Sequence, residues 1–282
     1  MKHEDGYFTG PGGLEIYHQS WLPDQEARAV FLLVHGMGEH CGRYGNLVDY
    51  FVPKGIAVYG LDHPGHGRSG GKREFVRTFD DFLKALRRYH KKVVAQQPGK
   101  PVFILGHSMG GTIALEYLAA FQDEFKGVIL SSPSLKPAEP PRPVIRTACR
   151  FLSYFLPMAG VLKLDPGAIS RDRRVVDAYL EDPLTFKGKT PARLILHMLE
   201  AMNRIMENAP QLSLPILILQ AGMDRLVDPS GAQEFHDRVG SLDKNLHIYD
   251  GLFHEVFNEP ERERVLKDLE TWLEAHLYST DQ

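Results

Sequence analysis

Leu105-Gly106-His107-Ser108-Met109-Gly110-Gly111 sets a Gly-x-Ser-x-Gly pentapeptide between two apolar segments of different character. Upstream, Val102-Phe103-Ile104-Leu105 reads as a short buried strand; downstream, Thr112 to Ala120 carries Ile113, Leu115, Tyr117 and Leu118 in a helical run. With 26 glycines in 282 residues, the pentapeptide alone decides little. Its position on a strand–turn–helix junction carries the weight. A serine on so sharp a turn has a strained backbone, and Gly106 and Gly110 leave room for strand and helix to pass closely. The layout is that of a nucleophile elbow.

Outward from the elbow, strand and helix signals alternate in the order that builds a mostly parallel sheet covered on both faces. Apolar strands are expected at Val30–Val34, Ile56–Leu61, Val102–Leu105, Val128–Leu130, Ile216–Leu219 and Leu246–Tyr249. Before them, Tyr7-Phe8-Thr9, the turn Gly10-Pro11-Gly12-Gly13 and Leu14 to Trp21 predict an antiparallel hairpin joined to the same sheet, which makes eight strands. Thr78 to Val94 shows the helical period, with Phe79, Phe82, Leu83, Leu86, Tyr89 and Val93 on one face and Thr78 as its cap. A last helix is expected from about Pro260, with Val265, Leu266, Leu269, Trp272, Leu273 and Leu277 turned to the core.

The alternation breaks once. Between Ser131 and about Pro210, the prolines 133, 137, 140, 141 and 143 lead into apolar helical material without a strand signal. This predicts a helical cap over 133–210, inserted between core segments 1–132 and 211–282. Phe151, Leu152, Tyr154, Phe155, Leu156, Met158, Val161 and Leu162 are too apolar for a solvated loop. Two readings stay open: they pack onto the core, or part of the run is an exposed lid that admits apolar substrates or touches a membrane or micelle.

Composition narrows the function. The chain is 43% hydrophobic and 24% charged with a net charge of −3, which gives no electrostatic reason to expect nucleic acid as a partner. Met1-Lys2-His3-Glu4-Asp5-Gly6 lacks the apolar core of a signal peptide, and no eighteen apolar residues run together, so a soluble, cytoplasmic protein is expected. Cys41 and Cys149 are expected to stay reduced.

A serine hydroxyl is a poor nucleophile until a base takes its proton, and the base needs a carboxylate to fix its tautomer. Of the histidines well downstream of Ser108, His197 falls in the cap, His236 in a helix, His247 inside a strand and His276 on the last helix. His254, in the loop after the last strand, is the candidate base. The loop after the preceding strand offers Asp224 and Asp228. Asp224 comes first after the strand and is favoured; Asp228 precedes Pro229 and a helical run, where capping accounts for it. Oxyanion donors are expected from the backbone amides of Met109, which begins the helix, and Met37, in the loop His35-Gly36-Met37-Gly38. His35, His40, His63 and His66 could suggest a metal, but carboxylate partners look poorly placed in sequence, and loop packing is the expected role.

His35-Gly36-Met37-Gly38-Glu39-His40 with Arg43-Tyr44, then Asp62-His63-Pro64-Gly65-His66-Gly67-Arg68-Ser69, Gly106-His107-Ser108-Met109-Gly110-Gly111 and Asp224-Arg225-Leu226-Val227 together resemble the monoacylglycerol lipase and lysophospholipase branch of the α/β-hydrolases. The resemblance implies an α/β-hydrolase fold, a triad of Ser108, Asp224 and His254, oxyanion amides at Met37 and Met109, and neither cofactor nor metal. It also implies that Glu39 and Arg43 shape the wall near the glycerol end of a substrate; a local i, i+4 ion pair is the alternative role. Gly36, Glu39, Arg43, Phe155 and Leu156 are the candidate substrate-binding residues. Mammalian members carry histidine three residues after the catalytic one, where this chain has Phe257, which implies a differently built head-group pocket. The expected activity is hydrolysis of monoacylglycerols or similar single-chain lipid esters. A short-chain carboxylesterase or lysophospholipase is the alternative, and a non-catalytic binding protein on the same scaffold is the rival from another class.

Overall fold

The computed structural model describes residues 1–139 and 150–277. Strands β1 (Lys2–Thr9) and β2 (Glu15–Leu22) form the hairpin. Then come β3 (Ala29–Val34), β4 (Ile56–Leu61), β5 (Val102–His107), β6 (Gly127–Ser131), and, in the insertion, the short β7 (Gly160–Leu162) and β8 (Thr190–Pro191). Strands β9 (Ile216–Ala221) and β10 (Lys244–Tyr249) complete the set. The main sheet has eight strands in the order β1-β2-β4-β3-β5-β6-β9-β10. β2 runs antiparallel to both of its neighbours, and every pairing from β4 to β10 is parallel.

Every residue of β3, β4, β5, β6 and β9 is buried, as expected of parallel strands covered on both faces. Because successive side chains point to opposite faces, each strand feeds two cores. Val30, Leu32, Val34, Ile104, Ile216 and Ile218 meet α2 (Asp80–Gln96), α3 (Met109–Phe121) and α6 (Ser230–Arg238) on one face. Phe31, Leu33, Phe103, Leu105, Leu217 and Leu219 meet α1 (Gly45–Phe51) and α7 (Arg262–Leu277) on the other. Each fully buried Leu, Ile or Phe contributes about 1.5–3 kcal/mol relative to exposure, so the two faces together hold the sheet between its helices.

Two local expectations are corrected. The cap of α2 is not Thr78: the carboxylate of Asp81 reaches back to accept the backbone N–H groups of Arg77 (3.1 Å) and Thr78 (3.3 Å). An acidic residue within the first turn thus ties down the backbone of the segment that leads into the helix. The insertion between β6 and β9 does contain strand: β7 and β8 pair antiparallel as a two-stranded ribbon, too short to show a period in sequence. Around it lie a helical segment over residues 150–155, α4 (Arg173–Glu181) and α5 (Ala192–Asn208). α5 turns Leu194, Ala201 and Ile205 into the first core. Pro140, Pro141, Pro143 and Cys149 fall outside the described residues; Cys41 is a buried free thiol. Among the described residues no helix is long and apolar enough to cross a membrane.

Candidate active site

Ser108 leaves β5 with φ 51° and ψ −121°, a left-handed backbone that costs a non-glycine residue about 1–3 kcal/mol. Four backbone hydrogen bonds hold it there. Ser108 N–H donates to Ser131 O (3.0 Å), and Ser108 O accepts from the N–H groups of Gly111 (2.9 Å), Thr112 (3.3 Å) and Ser134 (3.0 Å). The flanking glycines are obligatory in steric terms. A Cβ on Gly106 would lie 2.6 Å from Gly110 O, and one on Gly110 only 2.0 Å from Val34 O.

Asp224 stands in the loop after β9 and His254 in the loop after β10, adjacent strands whose ends bring the two side chains together. His254 Nδ1 lies 2.6 Å from Asp224 Oδ2, and both side chains are essentially shielded from solvent. Asp224 Oδ1 accepts the N–H groups of Leu226 (2.9 Å) and Val227 (3.1 Å). Burial works against charge on His254, but the Asp224 carboxylate more than offsets it and raises the imidazole pKa above its ordinary value. Burial likewise opposes ionisation of Asp224, and His254 with the two loop amides overcomes it and holds the carboxyl below its usual range. Asp228 is not part of this pair: its Oδ1 accepts Ser230 N–H (2.9 Å) at the start of α6.

Among the described residues, the loop after β3 presents one donor without a partner between two tied ones. Gly36 N–H donates to Glu39 Oε1 (2.6 Å) and Gly38 N–H to Glu74 Oε1 (2.8 Å). Between them, Gly36 O is bonded to His35 Nδ1 at 2.8 Å. The tautomer follows from the network: His35 Nε2 accepts the N–H of His63 (3.0 Å), so Nδ1 carries the proton that Gly36 O accepts. Complete burial, helped by the neighbouring His63 and His66, keeps His35 neutral with a pKa far below the ordinary histidine value. Because peptide groups are planar, these bonds fix three successive planes and aim the Met37 N–H. Neither Met37 N–H nor Met109 N–H has a hydrogen-bond partner among the described residues.

Glu39 and Arg43 belong to a larger buried cluster than the i, i+4 pair legible in sequence. Arg43 Nη1 donates to Glu39 Oε2 (2.9 Å), and its two Nη groups grip Glu255 at 2.7 and 3.0 Å. Tyr44 O–H donates to Glu39 Oε1 (2.7 Å), and Asn258 Nδ2 donates to Glu255 Oε2 (2.8 Å). Glu255 was missed from sequence: it adjoins His254, but its arginine partner stands 212 residues away and no motif joins them. Glu259, fully buried, accepts from Ser170 Oγ (2.6 Å), Arg171 N–H (2.6 Å) and Phe253 N–H (3.0 Å), and so ties the insertion to the His254 loop.

The elbow, His254, the Met37 loop and the Glu39–Arg43–Glu255 cluster open onto one cavity of about 480 Å³. Gly36, Met37, Ser108, Met109, His254 and the Glu39–Arg43–Glu255 cluster line its polar part. Ile195, Met198, Leu199 and Met202 of α5, with Val161, Leu162, Leu164 and Ile169, line an apolar part. The i, i+3, i+4, i+7 spacing on α5 was the available sequence signal for that wall. Phe155 and Leu156 are not in it: they are 60% and 58% exposed on the outer surface, beside Phe151 and Tyr154. Phe257 also stays out, packed in the second core. Two of the loop histidines have a carboxylate neighbour, and among the described residues no group of three His, Cys, Asp or Glu side chains is placed to hold a metal ion. His40 Nε2 meets Asp182 Oδ2 at 2.8 Å, and His66 Nε2 lies 2.9 Å from Glu74 Oε1, poorly aligned for a hydrogen bond.

The family model described as serine aminopeptidase, S33, matches residues 25–261. Over 270 residues the chain is 39% identical to the monoacylglycerol lipase of Mycolicibacterium smegmatis, covering 96% of each. It is 34% identical over 270 residues to the monoglyceride lipase of Rattus norvegicus, covering 95% of this chain and 89% of the relative. The crystal structure of Paleococcus ferrophilus monoacylglycerol lipase superposes with a TM-score of 0.83 at 30% identity, over 93% of this chain and 99% of that one. With a sheet order, an elbow and a match that spans both halves of the core, the chain belongs to the serine aminopeptidase S33 family of α/β-hydrolases.

Proposed function

We propose that this hydrolase cleaves monoacylglycerols to fatty acid and glycerol, with Ser108 as nucleophile, His254 as general base and acid, and Asp224 as its orienting carboxylate. The observation that carries the reading is the cavity itself, in which an elbow serine and an Asp-paired histidine share one space with the apolar face of α5. His254 Nε2 takes the Ser108 proton as Oγ attacks the ester carbonyl, and the oxyanion is received by the N–H groups of Met37 and Met109. His254 then gives the proton to the departing glycerol oxygen. Water, activated by the same imidazole, releases the fatty acid from the acyl-enzyme, while Asp224 stabilises the imidazolium.

Ile195, Met198, Leu199 and Met202 offer an apolar, adaptable wall for an acyl chain, and the Glu39–Arg43–Glu255 cluster offers a polar end for glycerol hydroxyls. The relatives named as monoacylglycerol and monoglyceride lipases support this substrate class. A peptidase reading, suggested by the family description, would need carboxylates free to bind an amino terminus. Here the two buried carboxylates nearest the elbow, Glu39 and Glu255, are already committed to Arg43, Gly36 N–H, Tyr44 and Asn258, and of the two others lining the cavity, Asp165 is paired with Arg225, which leaves Glu139 alone and no cluster to hold an ammonium. Residues 133–210 form the cap in this reading, and its exposed Phe151, Tyr154, Phe155 and Leu156 rest transiently on a membrane or micelle.

A fluorophosphonate probe tests the nucleophile. Peptide mapping is expected to find the adduct on Ser108, with no labelling in Ser108→Ala; a stable adduct on another residue, or labelling that persists in the variant, would refute the assignment. For the surface, Phe155→Ser/Leu156→Ser is expected to slow hydrolysis of vesicle-borne monoacylglycerol severalfold while leaving a dispersed short-chain ester unaffected. Equal effects on both would remove the docking role.

A further inference from the structure

Glu74 is a buried carboxylate that the catalytic reading does not use. It is only 1% exposed and holds a left-handed backbone, φ 56°, which a non-glycine residue keeps only where its surroundings over-determine it. Among the described residues no lysine or arginine pairs with it. Its oxygens instead accept two hydrogen bonds from separate segments and lie beside a histidine from a third. Oε1 accepts Gly38 N–H at 2.8 Å and lies 2.9 Å from His66 Nε2, and Oε2 accepts Thr190 Oγ1–H at 3.2 Å from β8 of the insertion. Its own N–H donates to Gly65 O at 3.1 Å, which anchors it to the tight turn after β4. The other end of Gly38 is held as well: Gly38 O accepts Tyr179 O–H (3.1 Å) and Phe186 N–H (2.9 Å).

These contacts have a directional consequence. The Gly38 N–H belongs to the Met37–Gly38 peptide plane, which shares Met37 Cα with the plane carrying the Met37 N–H. Fixing the first restricts the second. Glu39 holds the plane on the far side of Gly36, so the donor at Met37 stands between two carboxylate-anchored peptides. We infer that Glu74 is the positioning residue of the oxyanion loop, acting through Gly38 to aim Met37 N–H, and that Thr190 couples this aim to the seating of the insertion. The inference rests on the proposed role of Met37 and Ser108. It concerns transition-state geometry, not substrate affinity, because Glu74 does not line the cavity.

The test compares Glu74→Leu, which removes the acceptor, with Glu74→Gln, whose amide oxygen can still accept from Gly38. For each, kcat and KM are measured on a monoacylglycerol, together with the affinity for an acyl trifluoromethyl ketone and for the matching monoalkylglycerol ether. The ketone forms an oxyanion on the serine; the ether binds only as a ground state. Glu74→Leu is expected to lower kcat about tenfold to a hundredfold with KM within about twofold, the scale on which misplacing a reacting group by about an ångström acts. Ketone affinity should fall in parallel, ether affinity should hold, and Glu74→Gln should recover most of the loss. If Glu74→Leu does not fold, Glu74→Asp, which shortens the arm by one methylene, must show the same split. Unchanged kcat in a folded leucine variant, or equal losses for ketone and ether, would overturn the inference. Hydrolysis that survives Ser108→Ala would instead overturn the nucleophile reading on which it rests, and the two failures are thereby told apart.

Discussion

Asp224 and Asp228 stand four residues apart in one loop and have different tasks. Asp224 meets His254 at 2.6 Å, whereas Asp228 meets the first amide of α6. Asp224→Asn is expected to lower kcat by about four orders of magnitude, because the Leu226 and Val227 amides hold the asparagine oxygen and its NH2 then donates to His254 Nδ1, fixing the wrong tautomer. Asp228→Ala should leave kcat unchanged and cost about 1 kcal/mol in urea unfolding. The reverse pattern would exchange their roles. The pH profile follows from the raised pKa of His254. A base must be neutral to act, so kcat/KM is expected to fall on the acid side with a midpoint above the ordinary histidine value, and a midpoint below it would contradict the Asp224 pairing. Glu255 shows why part of the site was not legible. Motif and chain order pointed to Ser108, Asp224 and His254, but an ion pair across 212 residues leaves no local pattern. Its removal should be felt: Glu255→Ala strands a buried guanidinium with one carboxylate and is expected to cost about 3 kcal/mol.

At the scale of elements, central strands were readable because burial on both faces makes them continuous apolar runs, and Ile56–Leu61 is the strand that both sequence and structure bound. Edges were less so. β10 begins at Lys244, two residues before its apolar part, because backbone pairing with Ile216 and Leu217 needs no apolar side chain. β1 extends back to Lys2 for the same reason, through pairing with Leu22. The elbow is the element least tolerant of change. Gly110→Ala would drive a Cβ to within 2.0 Å of Val34 O, and the variant is expected either not to fold or to lose about 3 kcal/mol or more. α5 is instead tunable, since Met198 and Met202 line the cavity from a helix of the insertion. Met198→Trp should shift the preferred substrate to shorter acyl chains while the rate on a short ester persists; an unchanged chain-length profile would place the acyl chain elsewhere.

The whole molecule carries a set of buried histidines whose charge the fold refuses. Burial pushes His63 down to about 3 and His90 to about 4, and His18 also to about 4 through partial burial and nearby Lys92. These groups stay neutral in the native state while they take up protons in the unfolded chain below the ordinary histidine pKa. Stability from them is therefore complete at neutral pH and is lost as pH falls through the window from about 6.5 toward 4, by up to about 1.4 kcal/mol per pH unit for each fully buried group. The raised pKa values of His66 and His254 act above that window, since below it they are protonated in both states. Thermal denaturation at stepped pH is expected to show Tm falling steeply on the acid side; a flat Tm between pH 6.5 and 5 would mean that these imidazoles are not held neutral.

The most direct test of the account is the initial rate of hydrolysis across monoacylglycerols from short to long acyl chains, beside matched lysophospholipids and simple short esters, with Ser108→Ala as the blank. A rate that is highest for medium or long monoacylglycerols and abolished in the variant is predicted, because it needs both the triad geometry and the α5 wall. Turnover confined to short simple esters, or a long-chain activity that survives Ser108→Ala, would contradict it.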